Sequence, residues 1–480
     1  MSALHKIDDW FVGRVSFPLT NYLFNRRGVL ASYRQLLKSE YYPEEQLQEM
    51  QLRKFRAVLR HAGQFCPYYT NKFRQLGVAP EDIKSLEDVR SITPLSRQDV
   101  AEHCQEMIDA RSRHSLPPAQ GLSRAPGQPV LLGRFRSATL VRNSSSGSTG
   151  APLVFYDDGS ISAASWAFEL RLRHWYGIEA GAREARMMRM STDYMPNDRK
   201  LWARQRLWHQ LVLPGHNLTD KEYAFCVQRL RQFKPRVLWG FTPALTGLAE
   251  YIRRSGDDTS SFRPELTIAW AAPLYQREEK LLKDVFDCAV SSLYSAREVG
   301  HVGAWCPSHT LHVNQEQMLV ESNASPEHGR LGEIIVTPLT LSPMPFIRYR
   351  LGDLGQVARS QCACGRTLQT IEELLGRTAE IFVTKDGRTI TPGFWCRLFA
   401  TGGPSECVER FQIVYRQTDQ ISIRVVRRNG FSESIEEEMQ RTLRKNFSPE
   451  IRFQFEYVPH IPPQASGKYQ IVVNEVGRQG

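Results

Sequence analysis

Apolar residues recur at helical spacing through the first hundred residues of the chain. Between Glu44 and Ala62, the residues Leu47, Met50, Leu52, Phe55, Val58 and Leu59 fall on one face, which predicts an amphipathic helix. Pro67-Tyr68-Tyr69 ends that stretch. Ser85-Leu86-Glu87-Asp88-Val89 has the form of a short capped helix, and Thr93-Pro94-Leu95-Ser96 that of a turn into another. Arg53, Lys54 and Arg56 make the long helix basic. It fits a membrane surface or a protein core, and the core is the expected place.

Further along, short apolar runs alternate with helical stretches, the signature of an α/β domain. Strands are predicted over 237–241, 266–270 and 289–294. A helix through Leu245, Leu248 and Ile252 follows the first, and one from Gln276 to Phe286 follows the second. A fourth strand, over 332–337, belongs to a more antiparallel region. The last hundred residues change character. Phe411, Ile413 and Tyr415 alternate with other residues, as do Ile421, Ile423 and Val425, and Asn429-Gly430 supplies a turn. Ser434 is the expected cap of a helix with Glu437 at the capping-box position and Ile435, Met439 and Leu443 as its stripe. A strand from Ile451 to Tyr457 completes a β-β-α-β unit. The predicted fold is α/β, with a large N-terminal domain over 1–375 (helical 1–110, α/β core 111–375) and a small mobile α+β lobe over 376–480.

Composition narrows the class of protein. The 480 residues are 41% hydrophobic and 24% charged, which excludes a disordered chain. The formal net charge of +11 suits an anionic partner without choosing one, and the basic residues form short clusters rather than a nucleic-acid-binding tail. No apolar run approaches the ~20 residues of a membrane span, and Met1 to Arg14 lacks the core of a signal peptide. Nine scattered cysteines form no disulfide-like pattern, so a reduced, cytoplasmic protein is expected.

The segment Asn143-Ser144-Ser145-Ser146-Gly147-Ser148-Thr149-Gly150-Ala151-Pro152 carries the most chemistry. Its glycines let backbone amides approach an anion, and its hydroxyls add uncharged donors. Ala151 after Gly150 excludes a Walker A loop. Apolar runs over 138–141 and 153–156 make it a loop between two strands. The loop resembles the phosphate-binding loop of the AMP-forming adenylating enzymes, the acyl-CoA synthetase superfamily. Four later segments resemble that family's motifs in order: Tyr294-Ser295-Ala296-Arg297-Glu298, Tyr349-Arg350-Leu351-Gly352-Asp353, Gly376-Arg377, and Ser466-Gly467-Lys468. Pro67-Tyr68-Tyr69 and Cys362-Ala363-Cys364-Gly365-Arg366 are similar to the phenylacetate–CoA ligase-like branch, which includes relatives in capsular polysaccharide clusters.

The resemblance implies a set of roles. Ser145, Ser146, Gly147, Ser148, Thr149 and Gly150 would hold the phosphates of ATP, and Tyr294 would pack on adenine. Glu298 would hold Mg²⁺, Asp353 would accept both ribose hydroxyls, and Arg377 would sit near the ribose or α-phosphate. Lys468 would bring a mobile charge to the α-phosphate and the attacking carboxylate. Taken singly, Lys468 reads as a solvated lysine, Asp353 as a turn cap, Glu298 as a surface carboxylate and Tyr294 as core. Ser295, Arg297, Ala151, Ala272 and Ala379 depart from the family's usual residues.

Cys306, His312, Cys362 and Cys364 form a Cys₃His set. His312 is preferred to His309 because Leu311-His312-Val313 reads as the start of a strand. A closed structural Zn²⁺ and unligated buried thiols both fit these residues. The resemblance implies activation of a small carboxylic acid by ATP to an acyl-adenylate, then transfer to CoA or to an amine or hydroxyl acceptor. Transfer of AMP to the product, and a non-catalytic nucleotide-binding scaffold, are the alternatives. No specific nucleic-acid partner is expected.

Overall fold

The computed structural model describes residues 10–19, 28–115, 140–145, 153–188, 205–216, 218–324, 331–377, 382–383, 389–390, 394–395, 398–399, 404–417, 419–462 and 471–475. A helical segment over 10–19 precedes α1 (Val29–Ser39), α2 (Glu44–Phe65), α3 (Pro67–Leu76) and α4 (Arg97–His103). Pro67 ends α2 and, as the first residue of α3, restarts a helix where its missing N–H costs nothing. Helix α2 is a core helix: Leu47, Met50, Phe55, Val58 and Leu59 are buried. Its basic residues serve the fold, since Lys54 Nζ donates to Glu316 O at 2.6 Å and Arg56 Nε to Ile83 O at 2.6 Å.

The hairpin β1 (Val141–Ser145) and β2 (Leu153–Asp157) follows, then α5 (Ser160–Trp175). The parallel half of the main sheet comprises β3 (Glu184–Met188), β4 (Gln210–Pro214), β5 (Val237–Phe241), β6 (Leu266–Trp270) and β7 (Ala289–Ala296). Its crossover helices are α6 (Asp220–Phe233), α7 (Thr242–Ser255) and α8 (Gln276–Phe286), whose apolar faces pack with Leu213, Leu238 and Val290. Beyond β7 the sheet is antiparallel, through β8 (Gly300–Trp305), β9 (Leu311–Val313), β10 (Met318–Ala324), β11 (Gly332–Pro338), β12 (Tyr349–Ala358) and β13 (Thr370–Arg377). The eleven strands run β10-β11-β12-β13-β9-β8-β7-β6-β5-β3-β4, so β7 is the seam between the two halves.

Helix α5 carries charge into the interior. Glu169, Arg171 and Arg173 on it are buried, as are Glu184 and Arg186 on β3. Arg186 bridges Glu169 and Glu184, Arg173 Nη1 meets Glu184 Oε2 at 2.7 Å, and His301 Nε2 lies 3.0 Å from Glu169 Oε1. The Arg186 guanidinium lies 4.7 Å from the Trp239 ring. Burial alone would raise the Glu169 carboxyl, but Arg186 and His301 outweigh it and hold it well below the carboxylate range.

The C-terminal residues build a second sheet. After β14 (Phe382–Val383) and β15 (Thr389–Ile390) come β16 (Val408–Gln417), β17 (Gln420–Arg427), α9 (Glu433–Asn446), β18 (Arg452–Tyr457) and β19 (Val472–Asn474), with strand order β18-β17-β16-β19. Strand β19, which the alternation pattern does not reveal, lies parallel to β16. The expected cap at Ser434 is displaced by two residues: Ser432 precedes α9 in extended backbone, Ser434 already lies within the helix, and the Ser432 hydroxyl bonds the Ser434 hydroxyl at 2.8 Å. Phe431 packs on Tyr457, which fixes the extended backbone up to that point. The lobe meets the α/β half through Arg277 Nη1 on Val408 O at 2.7 Å and Arg428 on Glu250 at 3.2 Å.

Candidate active site

Strand β1 pairs with β2 at every position from Val141 to Ser145, so Ser144 and Ser145 belong to the strand rather than to the loop after it. Ser146, Gly147, Ser148, Thr149 and Gly150 lie outside the described residues. Ser145 is buried and its Oγ accepts from Arg97 Nη1 at 3.0 Å. Arg97 is the first residue of α4, whose start is set by a capping box between Ser96 and Asp99. The same Nη1 lies 3.7 Å from Glu298 Oε1, too long for a hydrogen bond but within ion-pair reach. Glu298 stands in the turn after β7 and is 9% exposed, so it is not a surface carboxylate.

Arg97 escaped the sequence reading, although a signal for it exists. A basic residue in the first turn of a helix opposes the helix dipole, so its presence there points to a partner elsewhere.

The second pairing spans the sheet. Tyr294, half-buried near the end of β7, donates its hydroxyl to Asp353 Oδ2 on β12 at 2.7 Å. Four strand steps separate β7 from β12 in the order β7-β8-β9-β13-β12. On a flat sheet that is roughly 19 Å, more than the two side chains span. The antiparallel half therefore curls, and the ladder shows where. Register shifts interrupt β7–β8 at Tyr294/Ser295 and β12–β13 at Leu354/Gly355 and Gln356/Val357, and β9 pairs with β13 through only Thr370 and Ile371. Gly352 has φ 75°, a left-handed conformation that a side chain would strain, and it turns the strand immediately before Asp353. Arg377 is the register partner of Asp353 on β13; its side chain lies outside the described residues. Burial pushes the neighbouring Glu333 carboxyl up; Arg350 opposes this and the Asp353 charge adds to it. Lys468 lies outside the described residues.

The four members of the Cys₃His set come together. Their ligand atoms lie within 4.8 Å of one another, with Cys306 Sγ 3.6 Å from Cys362 Sγ and His312 Nε2 3.2 Å from Cys364 Sγ. Cys306 follows β8, His312 is in β9, and Cys362 and Cys364 lie between β12 and β13. The cluster thus sits on the β9–β13 contact where the sheet bends. His309 turns away to Glu279, 2.9 Å distant. Burial pushes the His312 imidazole down to about 4 and keeps it neutral, and its Nδ1 faces Leu368 O at 3.4 Å.

A model of the CapK C-terminal domain family matches residues 382–475. The chain is 22% identical over 390 residues to the phenylacetate-coenzyme A ligase of Thermus thermophilus, covering 78% of this chain and 79% of that one. It is 21% identical to Protein CapK of Staphylococcus aureus over 340 residues, 70% of this chain and 75% of the relative. These similarities point to the AMP-forming adenylating superfamily. Within that superfamily the chain is similar to the phenylacetate–CoA ligase and CapK-like branch. The superfamily fold extends over nearly the whole chain. The structure of a 2-hydroxyisobutyryl-CoA ligase in complex with 2-HIB-AMP superimposes with a TM-score of 0.66 at 20% identity, covering 91% of each chain. Among the described residues, no helix is long and apolar enough to cross a membrane.

Proposed function

We propose that this chain activates a carboxylic acid with ATP, forming an acyl-adenylate and releasing pyrophosphate, and then hands the acyl group to CoA or another nucleophile. The observation that carries this reading is the Tyr294–Asp353 hydrogen bond across the curled sheet, beside the Ser145–Arg97–Glu298 chain of contacts. It gathers an aromatic ring, an acceptor for ribose, a carboxylate and a guanidinium at the seam where β7 leaves the parallel half. Tyr294 lies near the carboxyl end of β7, and ligands of open α/β sheets bind outside the carboxyl ends of the parallel strands.

In this reading ATP lies along β7 and β12. Asp353 keeps Tyr294 and accepts the ribose hydroxyls, which its two oxygens have the lone pairs to do. Tyr294 and the β6 end flank the base, and Arg377 approaches the ribose or α-phosphate. Ser145 and the residues from Ser146 to Gly150 hold the β- and γ-phosphates. Glu298 and phosphate oxygens suit Mg²⁺, a hard cation that offsets phosphate charge when bound. Arg97, held between Ser145 and Glu298, adds a guanidinium to the same place. Lys468 is the charge that stabilises the attacking carboxylate and the α-phosphate together. We place the mobile lobe at 376–480 and the remainder at 1–375. A role in polysaccharide assembly rests on the CapK-type lobe.

Asp353→Ala should weaken ATP binding by roughly 1.5–3 kcal/mol for each charge-assisted hydrogen bond lost. Titration calorimetry checks this, and unchanged affinity would remove Asp353 from the site. Mass spectrometry of the reaction product separates this reading from AMP transfer: free AMP with a thioester, ester or amide supports acyl transfer, and an adenylylated product does not.

The Cys₃His cluster suits Zn²⁺. Tetrahedral Zn–S bonds of about 2.3 Å set sulfurs a little under 4 Å apart, close to the Cys306–Cys362 separation. The neutral imidazole is the ligating form, and Leu368 O orients its other nitrogen. Residues Cys306, His312, Cys362 and Cys364 would close the coordination shell, making the ion a staple of the bend rather than a reactive centre. Purified protein should hold about one zinc per chain by elemental analysis. Cys364→Ser should lower the unfolding temperature first and ATP affinity second. Metal-free protein whose Cys364→Ser variant is as stable as wild type would return these residues to buried thiols.

A further inference from the structure

We propose that the N-terminal face of this chain docks on a bilayer surface rich in anionic lipid. The helical segment 10–19 presents a face that ordinary surface helices do not have. Trp10, Phe11, Val15 and Leu19 on it are exposed, at 62%, 51%, 39% and 52%. They account for half of the large exposed apolar side chains among the described residues. Positions 10, 11, 14, 15 and 19 share one side of a helix, and the only charge among them is Arg14. A solvent-facing side is normally polar; an exposed apolar stripe of this kind marks an interaction surface.

The segment is fixed to the body of the protein, so the stripe cannot turn inward. Val12 and Phe17 are buried in a cluster with Leu36, Leu170 and Trp208, and Ser16 Oγ donates to Leu207 O at 2.8 Å. Gly13 packs directly on Gly181: a Cβ on Gly181 would stand 2.3 Å from Gly13 Cα, and one on Gly13 would stand 2.9 Å from Ala180 O. Trp10, Phe11, Val15 and Leu19 therefore form a fixed ridge.

Charge selects the partner. From Trp10 to Ser39 the sequence contains Arg14, Arg26, Arg27, Arg34 and Lys38 and no aspartate or glutamate, so this stretch carries +5 of the chain's +11. Helix α1 packs in the same cluster through Val29 and Leu36, while Arg34 and Lys38 are exposed to solvent. Aromatic and aliphatic residues in a stretch whose arginines and lysines outnumber the adjoining Asp8, Asp9 and Glu40 match the interface of an anionic bilayer. There indole and phenyl rings sit at headgroup depth and basic side chains meet lipid phosphate. A second copy of the chain is the weaker occupant, because a two-fold contact through this face would set the +5 stretch against itself.

Flotation of the full chain with vesicles tests the proposal. The protein should float with vesicles containing phosphatidylglycerol, stay behind with phosphatidylcholine alone, and be released as salt is raised. Removing Arg14, Arg34 and Lys38 together (R14Q/R34Q/K38Q) should weaken binding by roughly a hundredfold, at about fivefold per basic residue near the surface. The pair W10S/F11S should abolish it, and circular dichroism should find both variants folded. Acid-dependent pyrophosphate exchange in solution should be unchanged in both, so this test fails or succeeds apart from the proposed reaction. Absence of flotation with phosphatidylglycerol, or equal flotation with neutral vesicles, would overturn the proposal. So would a dimer in light scattering that W10S/F11S converts to monomer without any vesicle binding.

Discussion

Replacing Lys468 by alanine should cut acid-dependent adenylate formation by roughly 10²–10³-fold or more, the scale seen when a single hydrogen-bond donor is removed from a reacting oxyanion. Both partners in the step are anions, so the barrier falls only if positive charge meets them as the bond forms. The chain supplies a tether of the right kind. Ile471 and Val472 are buried in the core of the small lobe, and β19 is pinned to β16. Lys468 stands three residues before Ile471 in the sequence. Lys468→Ala should leave the circular dichroism spectrum and the ATP affinity near wild type while the exchange of pyrophosphate into ATP collapses. Wild-type exchange by the purified variant would remove Lys468 from the reaction.

Glu169→Gln should cost about 3–5 kcal/mol of stability, because it breaks a buried ion pair from one side. Arg186 would keep Glu184 but lose the carboxylate that also holds His301. Urea unfolding reads the loss. A double change of Glu169 and Arg186 to apolar residues of similar size should recover much of it, since an absent pair is less damaging than a broken one. The pH dependence has a definite sign. The folded carboxyl is depressed below its ordinary value of 4.5, so its contribution is present above that value and is lost as the pH falls below it. Glu169→Gln should therefore flatten the acid limb of the stability profile. A variant as stable as wild type near neutral pH would mean that water already solvates this cluster.

The network also marks the limit of reading this chain from its pattern. Strands β5, β6 and β7 and helices α7 and α8 were legible because apolar runs and helical stripes alternate there. The apolar stripe of α2 gives no role to its basic residues, yet Lys54 and Arg56 end on backbone carbonyls inside the fold. Helix α5 gave no usable period, since Glu169, Arg171 and Arg173 are as buried as Phe168 and Leu172. Charges that satisfy one another across the interior erase the contrast on which periodicity depends. At the site, Tyr294, Glu298 and Asp353 were picked out by motif resemblance, while the curl that brings Tyr294 to Asp353 was not. That curl arises from register shifts and a three-residue strand, neither of which has a distinct apolar pattern. Arg97 was missed because a single arginine after a turn looks like surface charge until Ser145 and Glu298 are seen beside it.

In the proposed reaction this chain joins AMP to a carboxylate before any acyl transfer. The most direct measurement is pyrophosphate release from ATP by purified protein with a panel of aliphatic, aromatic and hydroxy acids, with CoA left out of one arm. Release should depend on one class of acid, persist as exchange without CoA, and disappear in Lys468→Ala. ATP binding with no pyrophosphate release for any acid, and an unaltered result in Lys468→Ala, would contradict it and leave a nucleotide-binding scaffold.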